Sequence, residues 1–560
     1  MGQLLLLLLL FFLCLGALVH FFNHTELGKG LKAISGPFIW FIGLILGGIL
    51  GLFGLEFDPP KGRYGSGKEM SWWDQLGFIS RKNTGTCIQG TKHISLDDST
   101  RHTVIKAGSG SGKTMINIVP TVLAQKGKSS LVITDPSGEI RKLCEPWLIS
   151  QGFDTRAIDI KTPSNTITYN SFARIRDSQD ILRICDILTN SGGEKTSSKN
   201  DFWEKSSKDW MYLHIRCLQY EPPQYRNLPN LRKLATNFGI NGEGLDEFYK
   251  RTAVYDEKLF AEVMAFRRNS PEVLQNILAS CRAYLSDYID ETICNLTATD
   301  TIGFEDMRKK PVAIFINVSE EKQSVYSGLL AMLFSQMMDF ANIMPVEGEP
   351  YLPIMFLLDE FTNIGVIPEF ADRISYLRKK DISIVLCIQS GAALESKYGE
   401  RNARAILANC SSTIVHGGQP IQECELLSRT LDVQDFAYTE TAEESTGDTQ
   451  RRVVISRRLR TPGELRTMEG ILYLFAHKPP IMFNKKIPWY KNRKLIKKTE
   501  LPNPNPYYGS ATEVEYLRLE SEENTDLEYG LIEHFTNDKT PESDAIEPAK
   551  YPTKNEQINM

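Results

Sequence analysis

Two apolar runs open the chain. Leu4–Val19 is unbroken, and Pro37–Phe57 carries no charge before Glu56. Each is near the length that crosses a bilayer as a helix. The first has no basic leading region and no clear small-residue cleavage site, and a second run follows it, so both read as retained membrane helices rather than a removed signal. Lys61, Arg63, Lys68, Arg81 and Lys82 come after the second run, whereas the His20–Gly36 connection has only Lys29 and Lys32 with Glu26. The positive-inside tendency then predicts a two-pass anchor over 1–60 with both ends in the cytoplasm.

Beyond Gly85 the pattern changes to short apolar runs separated by helical periodicity. His102–Ala107, Ser129–Thr134, Val312–Val318, Leu352–Asp359, Ile382–Ile388, Ser412–His416 and Ile471–Phe475 read as buried strands. Strands alternating with helices predict an α/β domain whose parallel sheet is covered on both faces and binds its ligand at the strands' carboxyl ends. The alternation is interrupted. Ile181, Leu182, Cys185 and Leu188 recur at helical spacing, as do Phe260, Val263, Met264 and Phe266, and Pro271–Leu285 adds another such stretch. The pattern therefore predicts one α/β domain in two parts, 61–176 and 307–498, around an all-helical insertion over 177–306.

Composition alters the picture only at the carboxyl end. From Leu501 to Met560 there are 13 acidic and 4 basic residues, a net −9 that leaves the rest of the −5 chain mildly basic. Residues 499–560 are also rich in Pro, Asn and Thr with few large apolar clusters, the signature of a disordered acidic tail. The ten cysteines show no C-x-x-C spacing, which argues against a zinc site or a disulfide framework and for reduced thiols in a cytosolic compartment.

The chemistry is carried first by Ala107-Gly-Ser-Gly-Ser-Gly-Lys-Thr114, set between a strand and a helix. This is a P-loop with alanine at its first position. Gly108, Gly110 and Gly112 let backbone N–H groups turn inward around phosphate oxygens, with Ser109 and Ser111 between them. A helix beginning at Lys113 aims its positive end at the same oxygens. Lys113 would reach the β- and γ-phosphates and the Thr114 hydroxyl would ligate Mg²⁺, so the cofactors are ATP and Mg²⁺.

A second element completes the site. The apolar run Ile354–Leu358 ends in Asp359-Glu360. A strand in the sheet centre would deliver Asp359 beside the P-loop to hold the water shell of Mg²⁺, and Glu360 would polarise the attacking water. Gln389 ends the next strand, where its amide would contact the γ-phosphate or that water. Arg378, in Leu377-Arg-Lys-Lys380, reads as surface charge or as an arginine finger acting across a subunit boundary. Two basic clusters, Arg451–Arg460 and Lys491–Lys498, suit DNA, acidic lipid or solvent. No base-reading motif is present, so any DNA contact would be backbone-led and without sequence specificity, to single strands or duplex.

In their order these motifs resemble the type IV secretion coupling proteins, the TraG/TraD-like ATPases. Arg101-His102 precede the P-loop. Asp135-Pro-Ser-Gly-Glu139 is similar to the family's Asp-Pro-Lys-Gly-Glu, with Ser137 in place of lysine. Tyr169-Asn170 and Phe202-Trp203 follow. Leu357-Leu-Asp-Glu-Phe-Thr-Asn-Ile-Gly365, Arg378, Gln389-Ser390, Tyr398-Gly399 and Asn409 complete the series. The resemblance implies a RecA-like motor, a homo-hexamer on two membrane helices in the bacterial inner membrane, with its ATPase domain in the cytoplasm. It further implies that the motor hands relaxase-bound single-stranded DNA or protein effectors to a type IV secretion channel. Two other readings remain at this stage, a FtsK/HerA-like DNA translocase and an ATP-binding membrane scaffold.

Overall fold

The computed structural model describes residues 67–190, 201–323, 325–344, 349–444 and 447–519. The apolar runs at 4–19 and 37–57 lie outside them, so the membrane-anchor reading does too. Among the described residues no helix is long and apolar enough to cross a membrane. The described residues fall into two compact units, one of residues 67–68 with 424–462 and one of residues 69–423 with 463–519.

The larger unit is built on a nine-stranded sheet. Its strands are β1 Thr103–Lys106, β2 Ser130–Thr134, β3 Asp154–Asp159, β4 Val312–Asn317, β5 Ile354–Leu358, β6 Ile382–Ile388, β7 Ser412–His416, β8 Ile471–Phe475 and β9 Ile481–Phe483. Across the sheet they run β9-β8-β7-β1-β6-β5-β2-β4-β3. The seven strands from β7 to β3 are parallel, and β8 and β9 close one edge through antiparallel pairs. Period-two alternation inside apolar runs explains why both faces are covered. In β5, Ile354, Phe356 and Leu358 join one core and Met355 and Leu357 the other. In β4, Ile314 and Ile316 part from Ala313 and Phe315 in the same way.

β3 carries no apolar run and escapes a hydrophobicity reading. Its sequence, Asp-Thr-Arg-Ala-Ile-Asp, becomes an edge strand because Arg156 is satisfied by Asp154 at 2.6 Å, by Asp306, and by the Ile302 carbonyl at 2.8 Å. Between β3 and β4 the described residues hold helices and turns and no strand. Helices Ser178–Asn190, Asp201–Leu218, Leu228–Thr236, Asp246–Tyr255, Glu257–Phe266, Pro271–Tyr284 and Glu291–Ala298 pack around fully buried Trp210. His214 stacks on that indole at 3.9 Å and meets the Tyr249 hydroxyl at 2.7 Å. Burial lowers its pKa to about 3, so the ring is neutral.

The described start of the tail differs from the disorder its composition suggests. Residues 501–519 form an extended strap whose backbone is bonded at several points. Gly509 accepts from Thr166, and the Ala511 amide donates to Pro163. Tyr508 donates to Glu145. Farther on, buried Asn230 donates to the Glu515 carbonyl at 2.9 Å and accepts from Leu517 at 2.8 Å, while Val514 and Leu517 enter the core. Two apolar side chains and a few well-placed amides suffice to order a segment that averages as polar.

In the smaller unit the basic cluster at 451–460 lies largely on a strand. Gly447–Arg458 pairs antiparallel with Val433–Glu444, in a register that sets Arg451 opposite Glu440. The other cluster is helical, Arg493–Thr499. Its Lys498 caps the Leu123 carbonyl and lies 3.9 Å over the Trp147 ring, and burial lowers its pKa to about 8. That lysine is a packing residue rather than a free charge.

Candidate functional site

The P-loop leaves the sheet directly. The Ala107 amide donates to the Ile388 carbonyl of β6 at 3.0 Å, and Ala107 is buried with a negative φ. Nothing in that position calls for glycine, which explains the alanine. The loop turns where left-handed backbone is needed, at Gly110 (φ 69°) and Gly112 (φ 86°). At Gly112 a β-carbon would also stand 3.2 Å from Ile116 Cδ1. The helix that follows opens with a wide π turn, Thr114–Ile118, and tightens to α over Val119–Leu123. Pro120 supplies no N–H at the junction of the two.

β5 carries the acids to this loop. Thr114 Oγ1 donates to Asp359 Oδ2 at 2.6 Å. Lys113 Nζ lies 3.7 Å from Asp359 Oδ1 and donates to Glu360 Oε1. Both carboxylates are more than nine-tenths buried. Burial by itself would lower the Lys113 pKa, but the attraction of Asp359 and Glu360 outweighs it and holds the ammonium above its ordinary value. Glu360 adopts left-handed backbone at φ 51°, unusual for a side chain of its size. Thr134, at the end of β2, donates to the Asp359 carbonyl at 2.9 Å and fixes the turn.

Gln389 follows β6, which lies between the P-loop strand β1 and the acid strand β5 rather than beyond them. Its side chain is exposed at the same sheet edge. Arg378 is exposed in the turn before β6, hence at the opposite edge. Seven residues of strand separate the two, about 23 Å. The fold brings Lys113, Thr114, Asp359 and Glu360 together, sets Gln389 at their edge, and keeps Arg378 away from its own P-loop.

Several supporting contacts carry no sequence signal, because Glu423 and His416 lie some 300 positions from their partners beside the loop. Lys106 Nζ is 2.9 Å from Glu423 Oε2, whose other oxygen accepts the Gly391 amide at 2.8 Å, tying β1 to the turn after Gln389. Asn117 donates to the Cys87 and Ile88 carbonyls, so its Oδ1 faces His416 Nε2 at 2.8 Å. Burial chiefly, with Lys486 nearby, lowers the His416 pKa to about 4. Lys486 itself donates to the Ser111 carbonyl at 3.3 Å. Asp135, in the turn resembling the family's Asp-Pro-Lys-Gly-Glu, accepts the Ile140 and Arg141 amides and caps the helix Glu139–Ser150. Burial raises its pKa. Ser137 accepts the Glu139 amide at 3.2 Å in the same turn.

The residues fit a magnesium nucleotide. Ser111 Oγ and Glu360 Oε2 are buried without a hydrogen-bond partner, an arrangement that costs stability unless a ligand or water satisfies it. Among the described residues no group of His, Cys, Asp and Glu would hold a metal alone. Asp359, with the Thr114 hydroxyl beside it, offers the kind of single-carboxylate site that Mg²⁺ takes together with waters and phosphates.

A family model described as Type IV secretory system Conjugative DNA transfer matches residues 67–513. The chain belongs to that family. Protein VirD4 of Rhizobium radiobacter is 21% identical over 469 residues, covering 80% of this chain and 64% of the relative. The type IV secretion system-coupling protein VirD4 of Bartonella henselae is 22% identical over 438 residues, covering 73% and 65%. The chain thus spans slightly under two thirds of the length of these relatives. Among solved structures, the unbound bacterial conjugative coupling protein TrwBdeltaN70 superposes with a TM-score of 0.58 at 18% identity, over 78% of this chain and 97% of that one. The plasmid coupling protein TrwB in complex with ADP and Mg²⁺ gives 0.57 at 19%, over 78% and 97%. The α/β fold with its central mixed sheet therefore resembles that of TrwB.

Proposed function

We propose that the chain is a membrane-anchored coupling ATPase. It would recruit relaxase-bound single-stranded DNA, protein effectors or both, and drive their delivery to a type IV secretion channel by hydrolysing ATP as a homo-hexamer. The observation that carries this reading is the junction of Lys113 and Thr114 with Asp359 and Glu360. A structural ion pair has no need of a glycine loop at a helix N-terminus, a hydroxyl on one acid and a strained second acid.

Lys113 is held by both acids. Triphosphate oxygens would compete for it, drawing Lys113 off Glu360 and freeing that carboxylate to orient a water for in-line attack. Amides of residues 108–114 would cradle the phosphates, and Ser111 Oγ would gain a partner. Mg²⁺, when bound, would supply positive charge that offsets charge on the phosphates. Thr114 and Asp359 would hold it, and Gln389 would touch the γ-phosphate or the attacking water. Arg378, remote from its own loop, suits a neighbouring subunit's site, where it would stabilise charge on the transferring phosphoryl group.

The test is ATP turnover by the full chain in lipid nanodiscs, with single-stranded DNA, duplex DNA or neither added. Turnover raised by single strands supports the coupling role. Stimulation by duplex alone would favour a chromosome-type translocase, and no turnover under any condition would favour a scaffold that only binds ATP. In cells, crosslinking during transfer would show whether DNA or protein is held by the helical insertion.

A further inference from the structure

The described chain begins with an exposed aromatic face. Helix Trp72–Phe78 is capped by Ser71, which accepts the Asp74 amide at 3.2 Å and donates to its carboxylate at 2.7 Å. At about 100° per residue, Trp72, Leu76 and Trp73 fall within one 100° arc, and Phe78 falls on the other side. The structure follows that geometry. Phe78 is buried against Phe475 at 4.9 Å, whereas Trp72, Trp73 and Leu76 are 62%, 69% and 54% exposed. The two indoles touch each other at 4.7 Å. Two adjacent exposed tryptophans with a leucine make a compact apolar patch of the kind that marks an interaction site.

We propose that this helix lies in the lipid–water interface of the membrane, with Trp72, Trp73 and Leu76 facing the lipid. The inference rests on the reading of Pro37–Phe57 as a membrane helix. Fourteen residues separate Phe57 from Trp72. Fully extended they reach at most about 50 Å, so the helix is within reach of the bilayer surface. Indole is the side chain that favours the interface, with an apolar ring for the acyl boundary and an N–H for headgroup oxygens. The surrounding charge fits anionic lipid. Arg81 and Lys82 follow the helix and are exposed. The one acid of the helix, Asp74, falls outside the tryptophan arc and is engaged by Ser71. The patch would thus fix the tilt of the ATPase domain against the membrane, a constraint the spans alone do not impose.

The test uses full-length protein in nanodiscs of phosphatidylcholine and phosphatidylglycerol, with acyl chains brominated near their ester ends to quench nearby tryptophans. The chain has seven tryptophans. Of these Trp40 lies in the second apolar run and Trp72 and Trp73 in the patch. The double variant Trp72→Ser with Trp73→Ser is expected to lose at least half of the lipid-quenched emission, and ATP turnover without cargo is expected to stay unchanged. Lipid quenching equal in native and variant protein overturns the proposal. So does equal shielding of the two tryptophans from aqueous acrylamide in lipid and in lipid-free detergent, which would mean that a second copy covers them. Flotation with vesicles separates this from the anchor reading. A chain that fails to float refutes the anchor, and one that floats with unquenched tryptophans refutes only the interfacial helix.

Discussion

Replacing Glu360 by glutamine separates the two roles assigned to that residue. Glu360 Oε1 accepts from Lys113, with both side chains almost nine-tenths buried or more. A hydrogen bond to a charged partner contributes about 1.5–3 kcal/mol, and one to a neutral partner about 0.5–1.5 kcal/mol. The amide of Glu360→Gln keeps the acceptor oxygen and loses its own charge, while Lys113 keeps one. The bond moves from the upper to the lower end of the charged range, so the hold on Lys113 weakens by about 1–1.5 kcal/mol. Incoming phosphates must break that hold, so ATP should bind roughly tenfold more tightly to the variant. Asp359 stays in place, so Mg²⁺ should still be held. Turnover should fall by about 10²–10⁴, the usual contribution of a positioned base. The assay pairs equilibrium binding of a fluorescent ATP analogue with phosphate release, on full-length protein in nanodiscs. Native-like turnover, or ATP binding tenfold weaker than native, would refute the assigned geometry.

Four further outcomes follow from the same contacts. Lys113→Ala should abolish nucleotide binding and substrate transfer together, as read by filter binding and by mating or effector-delivery counts. Transfer that survives it would remove the motor role. Subunits carrying Arg378→Ala and subunits carrying Lys113→Ala should each be inactive, and mixing them should restore part of the turnover if the arginine acts across a boundary. No recovery would return Arg378 to ordinary surface charge. His93, His102 and His416 have pKa values lowered to about 4, and His214 to about 3, burial being the main cause. The unfolded chain takes up these protons near pH 6.5 and the folded chain does not. Stability should therefore fall as pH drops from 6.5 toward 4, by up to about 1.4 kcal/mol per unit for each histidine; denaturant midpoints that stay flat between pH 7 and 5 would contradict it. Asn230→Ala removes both strap contacts of a fully buried amide, which should cost about 1–3 kcal/mol and open residues 503–519 to limited proteolysis. An unchanged cleavage pattern would show that the strap is held elsewhere.

Local sequence determined the strands with continuous apolar runs, because a strand buried on both faces must be apolar at every position. It also determined the chemistry of the loop and of the acid pair, because glycines, lysine and hydroxyl must be contiguous to cradle a phosphate. What only the tertiary structure decided is everything that depends on distant partners. β3 and the hairpin 433–458 are polar strands, stabilised by pairing rather than by their own hydrophobicity. The strap at 501–519 is ordered by two buried side chains and the amide of Asn230, more than 280 positions upstream. The insertion of β6 between β1 and β5, which sets Gln389 at the site and Arg378 at the far edge, follows from strand order, and no local pattern encodes order. Spacing along a chain fixes which groups can act together within one turn or strand. Which turns and strands meet is settled by burial summed over the whole fold.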